Sequence, residues 1–305
     1  MGCIRCLCAL WLLLIISSIN AKEEACIGVV LGGADSFFQH VLQGATDAGE
    51  ALGVKVSLRG PSGFDKLTAQ ISIIETLRKR GCDAFVIAPI SSDIDNIVNS
   101  LWEQGIPSVY IDRDTDGNHD AVSIIATDNY QAGRKAGEQM IKALSGKGKV
   151  ALLRLKKGIT STDKREKGFY DVVTDAGLDV VVDEYIGVEV GEAYQNGKQL
   201  ADRLSGVAGV FTPNETTTEG MLRVWNKIAL AQLPVHIGFD LSPIIAQGIE
   251  MKQVHGVVIQ DPHGMGYQGV VAAVNARLGK SIPKRAATTT HFVTVDSLDK
   301  HVVSP

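Results

Sequence analysis

The sequence predicts a two-lobed α/β protein, and three observations support this prediction. Segments typical of strands and of helices alternate along the chain, which indicates a parallel sheet covered by helices on both faces. The chain has 305 residues, 45% of them apolar and 21% charged, which is enough for two globular domains of ordinary composition. Residues 106–112 and 233–240 repeat one design, which is a helix exit, a buried strand and a terminal aspartate.

Residues 1–21 are predicted to form a cleaved secretory signal. Arg5 is the only charged residue among them, an apolar run extends from Leu7 to Ile16, and Ala21 precedes the charged Lys22. This is the layout of an export signal, and we place the cleavage after Ala21. An uncleaved membrane anchor is the alternative, but the apolar run is shorter than the roughly 20 residues that span a bilayer.

The first half of the mature chain is predicted to contain five strands. These are Ile27 to Leu31, Lys55 to Leu58, Ala84 to Ile87, Ser108 to Ile111 and Ser123 to Ala126. A helix is expected from Phe37, because apolar residues recur there at the spacing of one helical face, and another is expected from Lys66. That face of the first helix comprises Phe37, Val41, Ala45, Ala48 and Leu52.

The second half repeats the alternation, starting with a helix from Asp128 through Leu144. Strands are predicted near Val150 to Leu155, Val180 to Tyr185, Gly209 to Thr212, Val235 to Phe239 and Gly256 to Ile259. Glycines follow several predicted helices, and Pro262 stands at a helix start, where its missing amide hydrogen has no helical partner. No linker rich in Pro, Gly and Ser separates the halves, so we expect several short crossings between the lobes, as a hinge requires.

Cys26 and Cys82 are a candidate disulfide. The other cysteines, Cys3, Cys6 and Cys8, lie within the predicted signal. Cys26 and Cys82 come just before the predicted first and third strands, which are neighbours about 4.8 Å apart in a doubly wound sheet. A disulfide between them is therefore geometrically reasonable in an oxidising compartment, and two independent buried thiols are the alternative.

Several classes of function are not supported by the sequence. The formal charge of -4 and the absence of a basic cluster argue against nucleic acid or an anionic membrane as partner. Asp112, Asp114 and Asp116 imitate the start of a calcium loop, but the twelfth position is Ser123 rather than Glu, so no metal is expected. The glycines after the first strand do not have dinucleotide-binding spacing, and no nucleophile motif appears. We therefore predict no cofactor and no enzymatic activity.

Seven short segments appear in the order known from one family. They are Ser36-Phe37-Phe38, Ile111-Asp112-Arg113, Ala126-Thr127-Asp128-Asn129, Arg165-Glu166-Lys167-Gly168-Phe169, Pro213-Asn214-Glu215, Gly238-Phe239-Asp240 and Gln260-Asp261-Pro262. Through them the chain resembles the type I periplasmic sugar-binding proteins, in particular the ribose-binding branch. The resemblance implies an α/β fold of two Rossmann-like lobes joined by a three-crossing hinge, a ligand between the lobes and delivery to an ABC importer. We place the first lobe at residues 22–127 plus 261–288 and the second at 128–260 plus 289–305.

The resemblance also implies which residues bind the ligand. Phe37 and Phe38 match aromatic residues that stack on the sugar ring, and Asp112 and Arg113 match hydroxyl-binding residues of the first lobe. In the second lobe and hinge the matching residues are Arg165, Asn214, Asp240 and Gln260. Ribose binders have Asn where this chain has Asp35 and Ala88, and an aromatic residue where it has Val188. These three departures argue against ribose as the ligand.

The charges of the predicted site favour an uncharged ligand. Asp35, Asp112 and Asp240 can accept hydrogen bonds from hydroxyl groups, and Arg113 and Arg165 can donate them. Three carboxylates against two guanidinium groups leave about one negative charge, which disfavours phosphates and carboxylic acids. A neutral sugar or polyol is the expected ligand, with an amino sugar as a further possibility.

Each of these residues also has an interpretation without a ligand. The phenylalanines could pack in the core, the aspartates could cap helices or form turns, and the arginines could form surface ion pairs. Asn214 and Gln260 could hydrogen-bond to loop backbone.

We therefore expect a periplasmic, monomeric solute-binding protein that closes its lobes around the ligand and then docks on an ABC permease. A receptor ectodomain that triggers chemotaxis or a sensor kinase is the alternative partner, since both partners read the closed shape. A sugar-responsive repressor would need an amino-terminal helix-turn-helix, and signal-like residues stand there instead.

Overall fold

Two six-stranded sheets form the frame of the molecule in the computed structural model, which describes residues 25–33, 36–61, 66–228 and 232–300. The predicted signal segment, residues 1–21, lies outside the described residues, as does Asp35. Among the residues that are described, no helix is both long and apolar enough to cross a membrane.

The first sheet is built by the first half of the chain with one late addition. Its elements in chain order are β1 (Cys26–Val30), α1 (Ser36–Leu52), β2 (Lys55–Arg59), α2 (Lys66–Lys79), β3 (Ala84–Ile87), α3 (Ile94–Glu103), β4 (Ser108–Ile111) and β5 (Ser123–Thr127). The strands are parallel and lie in the order β2-β1-β3-β4-β5. Strands β1, β3 and β4 are buried throughout, as expected for a sheet with helices on both faces.

The second sheet repeats this construction. Its elements are α4 (Asn129–Ala143), β6 (Lys149–Arg154), α5 (Thr160–Asp175), β7 (Asp179–Tyr185), α6 (Val190–Gln199), α7 (Ala201–Leu204), β8 (Gly209–Phe211), α8 (Glu215–Trp225), β9 (Val235–Phe239), α9 (Pro243–Glu250) and β10 (Gly256–Ile259). These strands are also parallel, in the order β7-β6-β8-β9-β10. The two lobes therefore have the same strand order, and the predicted doubly wound architecture is confirmed.

The last segment of the chain contributes to both lobes. It contains α10 (Pro262–Arg277), β11 (Arg285–Thr288), β12 (His291–Val293) and a 3₁₀ helix (Val295–Lys300). Helix α10 packs on the first sheet, β11 adds a parallel strand beside β5, and β12 pairs antiparallel with β10 of the second sheet. Within the described residues the chain passes between the sheets after β5, after β10 and between β11 and β12, so the three-crossing hinge is confirmed.

The apolar face predicted for α1 packs on the first sheet with one exception. Phe37, Val41, Ala45 and Ala48 are buried, but Leu52 is 42% exposed. Leu52 lies in the last turn, next to the edge strand β2, where no further strand covers it. The periodicity identified the helix correctly and extended its buried face one turn too far.

Paired glycines bring two helices into close contact in each lobe. A Cβ atom on Gly44 of α1 would overlap the carbonyl oxygen of His263 in α10, and one on Gly266 would overlap that of Val41. Helices α4 and α5 meet in the same way through Gly133 and Gly168. These contacts fix α1 against α10 and α5 against α4, and α1 and α5 carry residues of the predicted site.

Cys26 and Cys82 form a disulfide in the structure. Cys26 begins β1 and Cys82 comes just before β3, and these strands are hydrogen-bonded neighbours, as the sequence predicted. The two Cα atoms are 4.3 Å apart, and the bond joins residues separated by 56 positions. It therefore links the first β-α-β-α unit to the centre of the first sheet.

Candidate ligand-binding site

The carboxyl ends of the strands of both sheets border one cleft between the lobes. The cleft encloses about 410 Å³ of empty space, part of which is open to solvent. It is lined by Phe37, Phe38, Asp112, Arg113, Leu155, Ile159, Ser161, Thr162, Arg165, Asn214, Glu215, Asp240 and Gln260. Eight of the nine residues predicted to bind ligand are among these, and the ninth is Asp35, outside the described residues.

Asp112 and Asp240 occupy equivalent places in the two lobes. Each directly follows a central strand, β4 or β9, and its backbone amide donates to the neighbouring strand, to the carbonyl of Ile125 at 3.2 Å and of Val258 at 2.8 Å. Both have left-handed backbones, with φ of 68° and 65°. Strained conformations of residues other than glycine concentrate at functional sites, and here the turn directs both carboxylates into the cleft. The repeat seen in the sequence thus corresponds to a structural repeat.

Arg113 forms an ion pair with the residue before it. Its Nε and Nη2 atoms donate to Oδ2 of Asp112 at 2.8 and 2.6 Å. Both side chains are largely buried, so each neutralises a charge that would otherwise be costly to bury. The pair presents donors and acceptors to the cleft without a net charge.

Arg165 is the most enclosed cation of the site. It is 2% exposed, its guanidinium lies 3.9 Å from the ring centroid of Phe239, and three of its five N–H groups donate within the protein. The acceptors are Asn129 Oδ1, the Pro213 carbonyl and Gln260 Oε1. Burial lowers the pKa of Arg165, while the carboxylates of Asp240 and Asp112 act in the opposite direction. The guanidinium is therefore held rigidly with donors still available for a ligand.

Gln260 connects the hinge to the second lobe. Its Nε2 donates to Asp240 Oδ1 at 2.7 Å, and its Oε1 accepts from Arg165 Nη2 at 2.7 Å and from Thr127 Oγ1 at 2.9 Å. Thr127 ends β5 at the first crossing, and Gln260 lies at the second. Gln260 thus orients Asp240 and Arg165 from the hinge itself.

The aromatic and amide residues of the site each have two roles. Phe37 and Phe38 line the cleft, pack in the core of the first lobe and contact each other edge to face, with centroids 5.2 Å apart. Both the ligand contact and the core packing considered for Phe37 are thus compatible with its position. Asn214 lines the cleft, and its Oδ1 caps α8 by accepting from the amide of Thr217 at 3.1 Å. The side-chain NH₂ group of Asn214 is therefore the part that can donate to a ligand.

Residues not predicted from the sequence also shape the cleft. Glu215 lines it and accepts a hydrogen bond from the hydroxyl of Ser36, which belongs to the opposite lobe. Asn129 holds Arg165 from the first turn of α4. Glu215 and Asn129 both lie in segments that carry the family resemblance, and that position could have identified them as site residues from the sequence. Among the described lining residues, Glu215 makes three carboxylates against two guanidinium groups, so the site remains acidic.

The aspartates after β4 that resemble the start of a calcium loop contact basic side chains of the protein. Asp114 accepts from Arg285 and lies 2.9 Å from Nε2 of His119, and Asp116 pairs with Lys164 at 2.8 Å. In the described part of the chain no three potential metal ligands come together. The carboxylates of this loop thus contribute to contacts within the protein.

The fold and the cleft define a class: two-lobed, hinged binding proteins that enclose a small ligand. A comparison with known families agrees, since the family model of the periplasmic binding protein domain matches residues 27–281. The chain therefore belongs to the periplasmic binding protein family, whose members bind solutes and are not enzymes.

Curated relatives cover nearly the whole chain. The ribose import binding protein of Bacillus subtilis is 27% identical over 270 residues, which are 88% of this chain and 87% of that protein. The D-allose-binding periplasmic protein of Escherichia coli is 25% identical over 299 residues, which are 94% of each chain. The similarity therefore extends over both lobes.

Solved structures show the same arrangement of lobes. The periplasmic component of an ABC-type sugar transport system from Hahella chejuensis has a TM-score of 0.82 and 30% identity, covering 88% of this chain and 99% of that chain. A carbohydrate transporter solute-binding protein from Agrobacterium radiobacter, in complex with D-arabinose, has a TM-score of 0.83 and 27% identity, covering 91% and 97%.

Proposed function

We propose that this protein captures a small neutral sugar or polyol between its lobes and delivers it to an ABC-type permease. The observation that carries this proposal is that Asp112 and Arg113 from one lobe face Arg165 and Asp240 from the other across one small cleft. The family and the relatives, a ribose import binding protein and a D-allose-binding protein, support it. Those names favour a permease over a receptor ectodomain as partner.

The chemistry of the site suits hydroxyl groups. Carboxylates accept and guanidinium groups donate, and a sugar hydroxyl can do both at once. A hydrogen bond that involves a charged group contributes about 1.5 to 3 kcal/mol net, and micromolar affinity requires about 8 kcal/mol. The four charged residues of the cleft, Asp112, Arg113, Arg165 and Asp240, supply enough such bonds, and Phe37 and Phe38 add apolar contact with C–H groups of the ring. Because the ligand contacts both lobes, it favours the closed arrangement over an open one.

The limits of the lobes and of the signal belong to this proposal. The first lobe comprises residues 22–127 plus 261–288, and the second comprises 128–260 plus 289–305. What supports these limits is the sheet to which each segment contributes, since β11 joins the first sheet and β12 the second. Removal of residues 1–21 would release a monomer into the periplasm, where the family functions.

A thermal-shift panel tests the proposal. Mature protein is heated with pentoses, hexoses, inositols, sugar phosphates and uronic acids, each at the same concentration. One neutral compound should raise the melting temperature, because a ligand at 100 times its dissociation constant adds about 2.7 kcal/mol of stability. We expect the anionic compounds to have no effect and ribose not to rank first, because Asp35 and Ala88 replace the asparagines of ribose binders. A panel in which no neutral carbohydrate shifts the transition contradicts the proposal.

A further inference from the structure

A second chamber adjoins the cleft on the side of α1 and α10. It has about 640 Å³ of empty space and is open to solvent. Four residues, Phe37, Glu215, Asp240 and Gln260, line both the chamber and the cleft. The two spaces therefore share part of their lining, and we call the second one the side chamber.

The partition between the spaces includes a hydrogen bond from one lobe to the other. Ser36 at the start of α1 donates its hydroxyl proton to the carboxylate of Glu215 at the start of α8. Both residues are partly exposed. A ligand hydroxyl can take the place of Ser36 at this carboxylate, because the bond lost and the bond gained are of the same kind. The partition can therefore open without leaving a buried group unsatisfied.

The lining of the side chamber suits an uncharged, hydroxyl-bearing group. Leu241, Ile259 and Pro262 give it an apolar wall, and Phe37 closes the end next to the cleft. His40 lines it from α1, and the exposed side chain of His40 makes no hydrogen bond to another described residue. The described lining contains carboxylates and no Lys or Arg, so an anionic group would be repelled. Apolar surface with polar groups at its edge is what a second sugar ring requires.

We propose that the side chamber is a second subsite, which holds the second ring or the O-linked substituent of a glycoside whose first ring occupies the cleft. This inference rests on the proposed function and extends its ligand class from monosaccharides to glycosides. In the occupied state Glu215 accepts from a hydroxyl of the second unit, and the wall formed by Leu241 and Ile259 contacts its apolar face. Phe37 lies between the two units.

A pair of neighbouring substitutions on α1 tests the subsite. His40→Trp fills the side chamber from an exposed position and removes no hydrogen bond of the cleft, while Gln39→Trp adds the same bulk to an exposed neighbour. Calorimetry is carried out with three probes: the monosaccharide that gives the largest thermal shift, its methyl glycosides, and disaccharides that carry it as an end unit. We expect at least one glycoside to bind within tenfold of the monosaccharide. His40→Trp should weaken that glycoside at least tenfold and change the monosaccharide less than twofold, and Gln39→Trp should change neither.

The outcomes separate the subsite from the proposed function. If the monosaccharide binds and every glycoside binds more than tenfold more weakly, the subsite is overturned and the proposed function stands. If a glycoside binds and His40→Trp leaves its affinity unchanged, the side chamber is not where the second unit lies, which also overturns the inference. If neither monosaccharides nor glycosides bind, the proposed function fails together with the subsite.

Discussion

Asp240 is the residue in which the backbone and the chemistry of the site are most directly linked. Its left-handed turn places the carboxylate beside Gln260 Nε2 and near Arg165, whose charge it stabilises. Asp112 has the same conformation in the other lobe. The two turns are the structural basis for a site with one acid from each lobe.

Replacing Asp240 is expected to weaken sugar binding by more than tenfold. The substitution Asp240→Ala removes hydrogen bonds to a charged acceptor, each worth about 1.5 to 3 kcal/mol, and 1.4 kcal/mol corresponds to tenfold. Asp240→Asn tests the charge alone, because Asn also tolerates a left-handed backbone. Calorimetry with the best sugar of the panel measures the effect, with the exposed Asp175→Ala as control. An unchanged affinity in both Asp240 variants would remove this residue from the site.

Glu166, next to Arg165, predicts a pH dependence of stability. It is fully buried, and burial raises its pKa to about 7, although Arg154 at 3.0 Å and the amide of Leu155 act in the opposite direction. Because the folded pKa lies above the ordinary value of 4.5, the folded protein holds the proton more tightly than the unfolded chain. The corresponding stability is fully present below about pH 4.5 and is lost as the pH rises through about 7.

The variant Glu166→Gln isolates this contribution. Its free energy of unfolding should change less between pH 4.5 and 7 than that of the natural protein, because glutamine does not titrate. Urea titrations at several pH values measure the difference. Parallel curves for the two proteins would show that Glu166 ionises normally in the folded state.

The sequence identified the site residues that match the family's binding residues, but it did not identify the residues beside them. Eight of the predicted residues converge in one cleft because their segments follow strand ends that face each other. That they bind ligand stays a prediction. Glu215 was not predicted, because an acid at the first position of a helix is equally explained by the helix dipole. Only the contact with Ser36, made across the lobes by residues far apart in sequence, distinguishes the two explanations.

At the scale of helices and strands, paired glycines determine how closely α4 and α5 approach. Gly133 contacts the backbone of Arg165, and Gly168 contacts that of Tyr130. The glycine of α5 lies within one turn of Arg165, so the packing distance between these helices sets the position of the guanidinium.

Adding a methyl group at this contact is expected to lower both stability and affinity. Gly133→Ala forces α4 and α5 apart, and overpacking of this kind costs about 1 to 3 kcal/mol. The displaced Arg165 should weaken sugar binding in parallel. Gly191→Ala is the matched control, because Gly191 is in α6 with no atom within 4 Å of the added Cβ, and there alanine should keep or slightly raise stability. Equal melting temperatures for the Gly133 variant and the natural protein would contradict close packing.

The strands were predicted to different degrees for a physical reason. The predicted strands were identified to within about one residue at each end, because they are apolar runs bounded by helix exits. Strands β11 and β12 were not predicted as strands. They are edge strands of four and three residues, RAAT and HFV, with alternating or little burial, and their pairing partners are distant in sequence. The equally short β8 was predicted because it is buried throughout, whereas β11 and β12 are partly exposed.

At the scale of the whole molecule, side chains join the two lobes across the cleft. Lys66 of the first lobe pairs with Glu189 at 3.2 Å, and Asp116 pairs with Lys164 of the second at 2.8 Å. The hydroxyl of Thr160 also donates to the carbonyl of Asp114. These contacts favour the closed arrangement even though they do not involve the ligand.

The affinity for a neutral sugar is therefore expected to fall with ionic strength. Both ion pairs are largely exposed, so each contributes about 0.2 to 1 kcal/mol and is screened by salt. The substitution Lys164→Glu should weaken binding at low salt, and adding Asp116→Lys should restore it by reversing the pair. Calorimetry at low and high sodium chloride concentration measures both effects. An affinity that is independent of salt, with no recovery in the double variant, would show that the pairs do not assist closure.

The exchange of segments between the lobes has a consequence for assembly. Residues 285–288 complete the first sheet and residues 291–293 complete the second, so neither lobe corresponds to one continuous stretch of chain. A polypeptide cut after residue 127 would lack both α10 and an edge strand, and it would expose the side of β5 that β11 covers. We therefore expect that the two halves do not fold as independent fragments. During synthesis, the first sheet stays unfinished until residues 285–288 have been added, and the second until residues 291–293 follow.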